Sequence, residues 1–530
     1  MIRNPVLPGF NPDPSFCRVG EDYYLATSTF EWYPGVQIHH SRDLVNWRLV
    51  ARPLARAGLL DMRGAPDSCG VWAPCLSHDG DRFWLVYTDV KRFDGAFKDA
   101  HNYITSCATI DGAWSDPWYV NSSGFDPSLF HDDDGRRWFV NMRWNHRGPG
   151  SGCNPANDAF DGILLQEWSP EKGLTGEATI LYAGTDRGLT EAPHLFKRDG
   201  WYYLTTAEGG TGYDHAVTLA RSRDIRGPYE THPQKHVITT QGTGGPIQRA
   251  GHGQYVETHW GRHYHSFLMG RPIAGPDGTG RYCPLGRETG LEEVVWRDGW
   301  LWLAEGGTVP REEVPSPVAA EPRPAAPVVR ESWDALPPEF QWLRTPHPER
   351  LFRCEAGALV LVGRESLGSW YEQSLVARRQ EHLTYAAETA LEFDPRTYQQ
   401  AAGLVTYYNR HKLHAAVLTR EGDQPVLTIL SCPGDWPEGR LTYPAEPVPV
   451  APGPVELRVE VTGATQRFLW RQGGDWRPLG PDLNAAVISD EGGRGEHGSF
   501  TGAFVGMFAM DTSGQGREAR FRRFGYWPGE

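Results

Sequence analysis

The chain has 530 residues, 39% hydrophobic and 22% charged, with 52 basic against 66 acidic side chains for a formal charge of −14. That length predicts two to four domains of a soluble globular protein, and the acidic balance argues against a general nucleic-acid binder. No run approaches the roughly 18 apolar residues of a membrane span, and Met1–Pro5 does not read as a secretory leader.

In chain order, the first three hundred residues repeat themselves. Short aromatic runs recur at Asp22–Ala26, Arg82–Val86, Arg137–Val140 and Gly200–Leu204, with a weaker copy at Arg262–Phe267. Their aromatic and β-branched content between turn residues predicts strands. Ahead of the first four sits an x-Pro step: Asp13-Pro14, Ala73-Pro74, Asp126-Pro127 and Ala192-Pro193, the prolines 60, 53 and 66 residues apart. His252-Gly253 takes the equivalent place before the fifth. A β unit of about 60 residues cannot bury its own face, so five of them predict a radial repeat, a five-bladed β-propeller. Its inner strands would bring Asp13, Ala73, Asp126, Glu191-Ala192 and His252 to one central channel.

Six prolines between Pro310 and Pro327 mark a semi-rigid linker. The expected domains are residues 1–309, the linker 310–327, and 328–530. The last part is again β-rich, with runs at Leu359–Val362, Ala402–Val405, Val426–Ile429 and Val455–Val459, and reads as a β-sandwich of jelly-roll type. The Gly492–Gly495 run lacks the Lys-Ser/Thr and helix of a phosphate loop and reads as a surface loop. The overall expectation is an all-β protein.

Eight cysteines are scattered without metal-ligand spacing, which fits reduced, mostly buried thiols in a cytoplasmic protein. The chain carries 21 each of Trp, Tyr and Phe. Such rings serve either as core or as platforms against the C–H face of a sugar, and composition does not separate the two uses.

Asp13, Asp126 and Glu191 lie at or beside the repeated x-Pro position. Singly, an Asp before Pro is a turn residue; three carboxyls at one repeat position, facing one axis, suit glycoside hydrolysis. A protonated carboxyl donates to the leaving oxygen, an ionised one activates water or attacks carbon, and a third raises the acid's pKa by like charge. There is no G-x-S-x-G elbow, no H-E-x-x-H and no zinc spacing among the histidines. His252 stays open between a ligand for metal or water in the channel and a partner in local hydrogen bonds.

Asn11–Ser15, Ser28–Trp32, Pro34–Val36, His39–Trp47, Gly70–Pro74, Phe125–Ser128, Thr190–His194, Leu285–Thr289 and Phe500–Gly506 together closely resemble glycoside hydrolase family 43, and within it the intracellular β-xylosidases. The likeness spans essentially the whole chain. It implies a catalytic propeller with a sandwich that lends a residue to the site, and release of xylose with inversion from non-reducing ends of β-1,4-xylo-oligosaccharides. It also implies side activity on α-L-arabinofuranosides. Carried over by motif, Asp13 is the general base, Glu191 the general acid, and Asp126 tunes and orients the acid. Phe30, Trp72, Ala73, Phe125, Thr211 and Arg287 bind substrate, and Phe500 closes the neighbouring subsite. Ala192 departs from the glycine usual after the acid. No cofactor is required, with a divalent cation such as calcium near His252 as the open alternative. The expected state is a homo-oligomer, dimer or tetramer. A dedicated α-L-arabinofuranosidase is the nearest rival reading, and a non-catalytic carbohydrate-binding propeller the rival of another class. Inversion would set the acid and base carboxyls about 6.5–9.5 Å apart.

Overall fold

The computed structural model describes residues 1–147, 159–493 and 499–529. Cys153, Arg494 and Gly495 lie outside the described residues. Helix among those described is limited to two short 3-10 turns, Pro348–Arg350 and Ala485–Val487.

Five antiparallel sheets form the propeller. Blade 1 contains Ser15–Val19, Asp22–Thr27, Gln37–Ser41 and Arg48–Ala51, and blade 2 runs from Gly70–His78 out to Trp118–Asn121. Blade 3 runs from Gly124–His131 to Gly173–Tyr182, blade 4 from Glu191–Arg198 to Glu230–Thr239, and blade 5 from Gln248–Gly251 to Trp300–Leu303. The aromatic runs are the second strands, and their rings fill the seams between blades. Trp84 packs edge-on against Trp168 (5.8 Å), Tyr202 edge-on against Phe130 (6.1 Å), and Tyr23 stacks on Trp260 (5.8 Å). Most of the aromatic surplus is therefore core, where each ring removes a large apolar area from water.

The ring closes through the N-terminal segment. Ile2–Arg3 pairs with Glu313–Val314, so the proline-rich stretch carries a strand laid against the propeller. Asn4 donates from its side chain to the Leu291 and Arg311 carbonyls (2.8 and 2.7 Å). Further along, Tyr264 donates to the Pro315 carbonyl (2.8 Å) and Arg323 N–H to Asn46 Oδ1 (2.9 Å), which hold the stretch on blades 5 and 1.

Each inner strand opens on a local break. The ladder slips between Pro12 and Ser15 in blade 1, Trp72 and Cys75 in blade 2, Phe125 and Ser128 in blade 3, Glu191 and His194 in blade 4, and Gly251 and Tyr255 in blade 5. Proline has no N–H for the ladder and crowds the residue before it, so each x-Pro step is a natural bulge. The residue at the break takes a left-handed backbone in all five blades: Asp13 (φ 56°), Ala73 (26°), Asp126 (55°), Ala192 (51°) and His252 (48°). That conformation costs about 1–2 kcal/mol in a residue with a Cβ, and here it turns the side chains near the break toward the axis.

The C-terminal part is a sandwich of two eight-stranded sheets. One sheet includes Gln400–Asn409, Phe504–Asp511, Ser374–Arg379 and Phe340–Leu343, and its edge strand is Trp32–Tyr33 of the propeller, paired in register with Trp342 and Leu343. Trp32, fully buried, stacks on Phe504 at 3.6 Å between ring centres. The two units thus share a sheet and a core.

Candidate active site

On the propeller axis lies a cavity of about 380 Å³, and Asp13, Asp126 and Glu191 all line it. The five repeated breaks explain the convergence, with one difference from the sequence expectation. Asp13 and Asp126 occupy the left-handed position itself, whereas in blade 4 Ala192 takes that position and Glu191 stands one residue before it. The longer glutamate side chain reaches the cavity from that offset. Ala192 carries the strain in its place, at a position where glycine would be unstrained.

The three carboxyls sit in unlike surroundings. Asp13 accepts from Ser28 Oγ (2.6 Å) at one oxygen and from Arg287 Nη1 (2.9 Å) at the other. Burial first, and then the Asp13 charge, push Glu191 up to about 8, with Arg287 and Lys98 pulling the other way. Asp126 is raised by burial and by its neighbours Glu191 and Asp13. Buried carboxyls gathered in one cavity cannot all ionise, so the arrangement favours the protonated forms of Glu191 and Asp126.

Arg287 is the hub. It donates to Asp13, to Thr211 Oγ1 (3.1 Å) and, through Nη2, to the Phe500 carbonyl (2.8 Å), and its guanidinium lies over the Phe30 ring (5.1 Å). Gly286 before it has φ 68°, and a Cβ there would meet the Thr501 carbonyl at 2.1 Å, so only glycine lets the two backbones approach. The walls are aromatic. Trp72 packs edge-on against Phe125 (5.3 Å) and Phe500 (5.7 Å), and Phe30 lies 5.8 Å from Trp72. Phe500 comes from the sandwich, and its N–H is held by Ser68 Oγ (3.1 Å).

Of the residues expected at the site, Asp13, Phe30, Trp72, Phe125, Asp126, Glu191, Thr211, His252, Arg287 and Phe500 line this cavity. Ala73 does not; it is buried at the blade 2 break. Sequence reasoning missed Phe93, Lys98, Trp144, Phe160, Leu189 and His215, which also line it. Lys98 donates to the Phe93 carbonyl (2.5 Å) and lies over the Trp144 ring (4.2 Å), while burial lowers its pKa. These residues come from later strand ends and loops that carry no repeated motif, so no local signal marked them.

His252 Nδ1 stands 3.8 Å from Asp13, and burial, then Arg287 and His265, push its pKa down to about 3, so it is neutral. Its ring neighbour is His194, also lowered to about 3 by burial. Among the described residues no three His, Cys, Asp or Glu side chains converge as a cation cage. The seven described cysteines are free, six of them buried.

Comparison with known proteins matches this geometry. Residues 2–301 match the model of glycosyl hydrolases family 43, and residues 332–527 that of the β-xylosidase C-terminal concanavalin A-like domain. The chain is 54% identical to a xylosidase/arabinosidase 43B of Humicola insolens, over 99% of this chain and 98% of that one. It is 46% identical to a β-xylosidase of Bacillus subtilis, over 99% of both. The crystal structure of a xylan β-1,4-xylosidase from Bacillus halodurans superposes with a TM-score of 0.94 at 46% identity, covering 99% of this chain and 100% of that one. The chain belongs to glycoside hydrolase family 43.

Proposed function

We propose that this family 43 hydrolase releases D-xylose, with inversion, from the non-reducing ends of β-1,4-xylo-oligosaccharides and also cleaves α-L-arabinofuranosides. The observation that carries the reading is one aromatic-walled cavity in which three carboxyls meet, one bonded to Arg287 and Ser28 and another raised to about 8. The names of the similar proteins support the substrate class, and the pairing of xylosidase with arabinosidase in one of them supports the second activity.

In this reading the Phe30, Trp72 and Phe125 rings enclose the terminal sugar, and Arg287 with Thr211 holds its hydroxyls. Glu191, protonated near neutral pH, gives its proton to the leaving glycosidic oxygen as the C–O bond breaks. Asp13, held in place by the Arg287 guanidinium, takes a proton from the water that attacks the anomeric carbon from the opposite face. The Asp13 charge discourages early ionisation of Glu191, and Asp126 accepts from the Ala192 backbone N–H beside the acid and so orients it. After turnover Glu191 regains a proton from solvent while Asp13 gives one up. Phe500 narrows the exit where the leaving sugar lies.

The test is a paired rate measurement with p-nitrophenyl β-D-xylopyranoside and α-L-arabinofuranoside on wild type and Asp13→Ala, with and without azide. Hydrolysis of the xyloside, its loss in Asp13→Ala, and azide rescue through the α-glycosyl azide are the expected results. Hydrolysis of neither glycoside by wild type would overturn the reading, and hydrolysis of the arabinofuranoside alone would replace it with the dedicated arabinofuranosidase.

A further inference from the structure

A buried ion cluster lies behind the cavity wall, at the seam between propeller and sandwich. Arg249, with its side chain 5% exposed, pairs through Nη1 with Asp490 (2.7 Å) and Glu491 (3.1 Å), both from the sandwich. Its Nε donates instead to the backbone carbonyl of Thr211 (3.0 Å). Thr211 is the residue whose hydroxyl accepts from Arg287 Nη1, the same nitrogen that donates to Asp13. The two sandwich carboxylates reach further. Glu491 accepts the Cys283 N–H (2.7 Å), four residues before Arg287, and the Tyr213 hydroxyl (3.3 Å), two residues after Thr211. Asp490 is held from its own side by the Tyr408 hydroxyl (2.6 Å), which also accepts the Thr501 N–H next to Phe500 (3.0 Å).

We propose that the Arg249–Asp490–Glu491 cluster is a positioning device for the active site, by which the sandwich sets the loops carrying Thr211 and Arg287 and so the bond between Arg287 and the Asp13 carboxylate. The physical case is geometric. Arg287 has no secondary-structure ladder fixing its side chain. Its direction is set by three acceptors, and two of them, Thr211 and the Phe500 carbonyl, sit on segments tied to the cluster. A guanidinium is suited to this place because its planar fork meets two carboxylates on one edge and a carbonyl on another. Lysine keeps the charge but is a point donor and cannot serve both sides at once. None of the three cluster residues lines the cavity, so their effect reaches the chemistry through Thr211 and Arg287. The expectation that the sandwich contributes to the site through Phe500 is thereby extended from a wall to a clamp.

The proposal rests on the hydrolase reading above, and the experiment separates the two. The pH dependence of kcat/KM with p-nitrophenyl β-D-xylopyranoside would be measured for wild type, Arg249→Lys and Asp490→Asn, with thermal unfolding of each. The groups facing Asp13 are Arg287, His252, Glu191 and Asp126, and of these Arg287 is the one whose hydrogen-bond acceptors, Thr211 and the Phe500 carbonyl, sit on segments bonded to the cluster. Misplacing it should move the acidic limb of the profile up by about one pH unit and lower kcat/KM by about 10- to 100-fold. As a control, Arg458→Met breaks a partly buried ion pair to Glu388 within the sandwich and should leave that limb in place. A folded Arg249→Lys with a wild-type profile would overturn the proposal. Should that variant fail to fold, Asp490→Asn decides by the same criterion. A wild type without xylosidase activity would instead overturn the hydrolase reading.

Discussion

Glu191 ionises near pH 4.5 in an unfolded chain and near 8 in the fold, so the native state binds a proton that the unfolded state has released. A carboxyl raised in this way contributes stability that is whole below about pH 4.5 and is lost as pH rises toward 8. At the ceiling that difference is worth about 5 kcal/mol. Glu191 faces the open cavity, and solvent there screens part of the effect, leaving about 2–3 kcal/mol. Replacing Glu191 by Gln keeps the shape and removes the titration. The variant should match wild type in stability at pH 4.5, exceed it progressively above that, and level off past pH 8. Thermal and urea unfolding of both proteins at pH 4.5, 6, 7.5 and 9 would measure the gap, alongside the loss of activity. A gap that stays constant across those pH values would show that Glu191 is not held protonated, and would remove the physical basis for its role as the acid.

Glu191→Gln should also lower turnover of xylobiose by about 10²–10⁴-fold, the usual worth of general acid assistance, and that of an activated aryl xyloside far less. Equal losses on both would count against the assignment. Trp32→Ala should cost about 3–5 kcal/mol, because its fully buried ring stacks on Phe504 where the two units share a sheet; a change below about 1 kcal/mol in urea unfolding would contradict that packing. Ending the chain after Arg330 keeps the closing strand Glu313–Val314 but removes Phe500 and the acceptor it gives Arg287, so soluble activity should be lost. A fully active propeller alone would refute the shared site.

Much was legible in the sequence because the propeller repeats. The x-Pro steps and aromatic runs are local patterns, and local patterns carry strand identity, blade number and the position of Asp13, Asp126 and Glu191 near one axis. The offset of Glu191 from its x-Pro step stands in the sequence, but which residue of each bulge turns left-handed, Ala192 in blade 4 and Asp13 and Asp126 elsewhere, was decided by the fold. Lys98, Trp144 and Phe93 escaped for the same kind of reason: they join the cavity by the path of a loop or a strand end and repeat in no other blade.

What the amino-acid order determined by itself was the all-β class, the five units and the carboxyl chemistry, since each rests on residue type and spacing within about 60 positions. The tertiary structure alone decided that Trp32–Tyr33 leaves the propeller to edge a sandwich sheet, that Phe500 meets Ser68 across 432 residues, and that Arg249 finds its acids 241 and 242 positions away. Such contacts are selected by the burial of whole faces and the pairing of buried charges, which hold only once distant segments have met, and no local pattern records them.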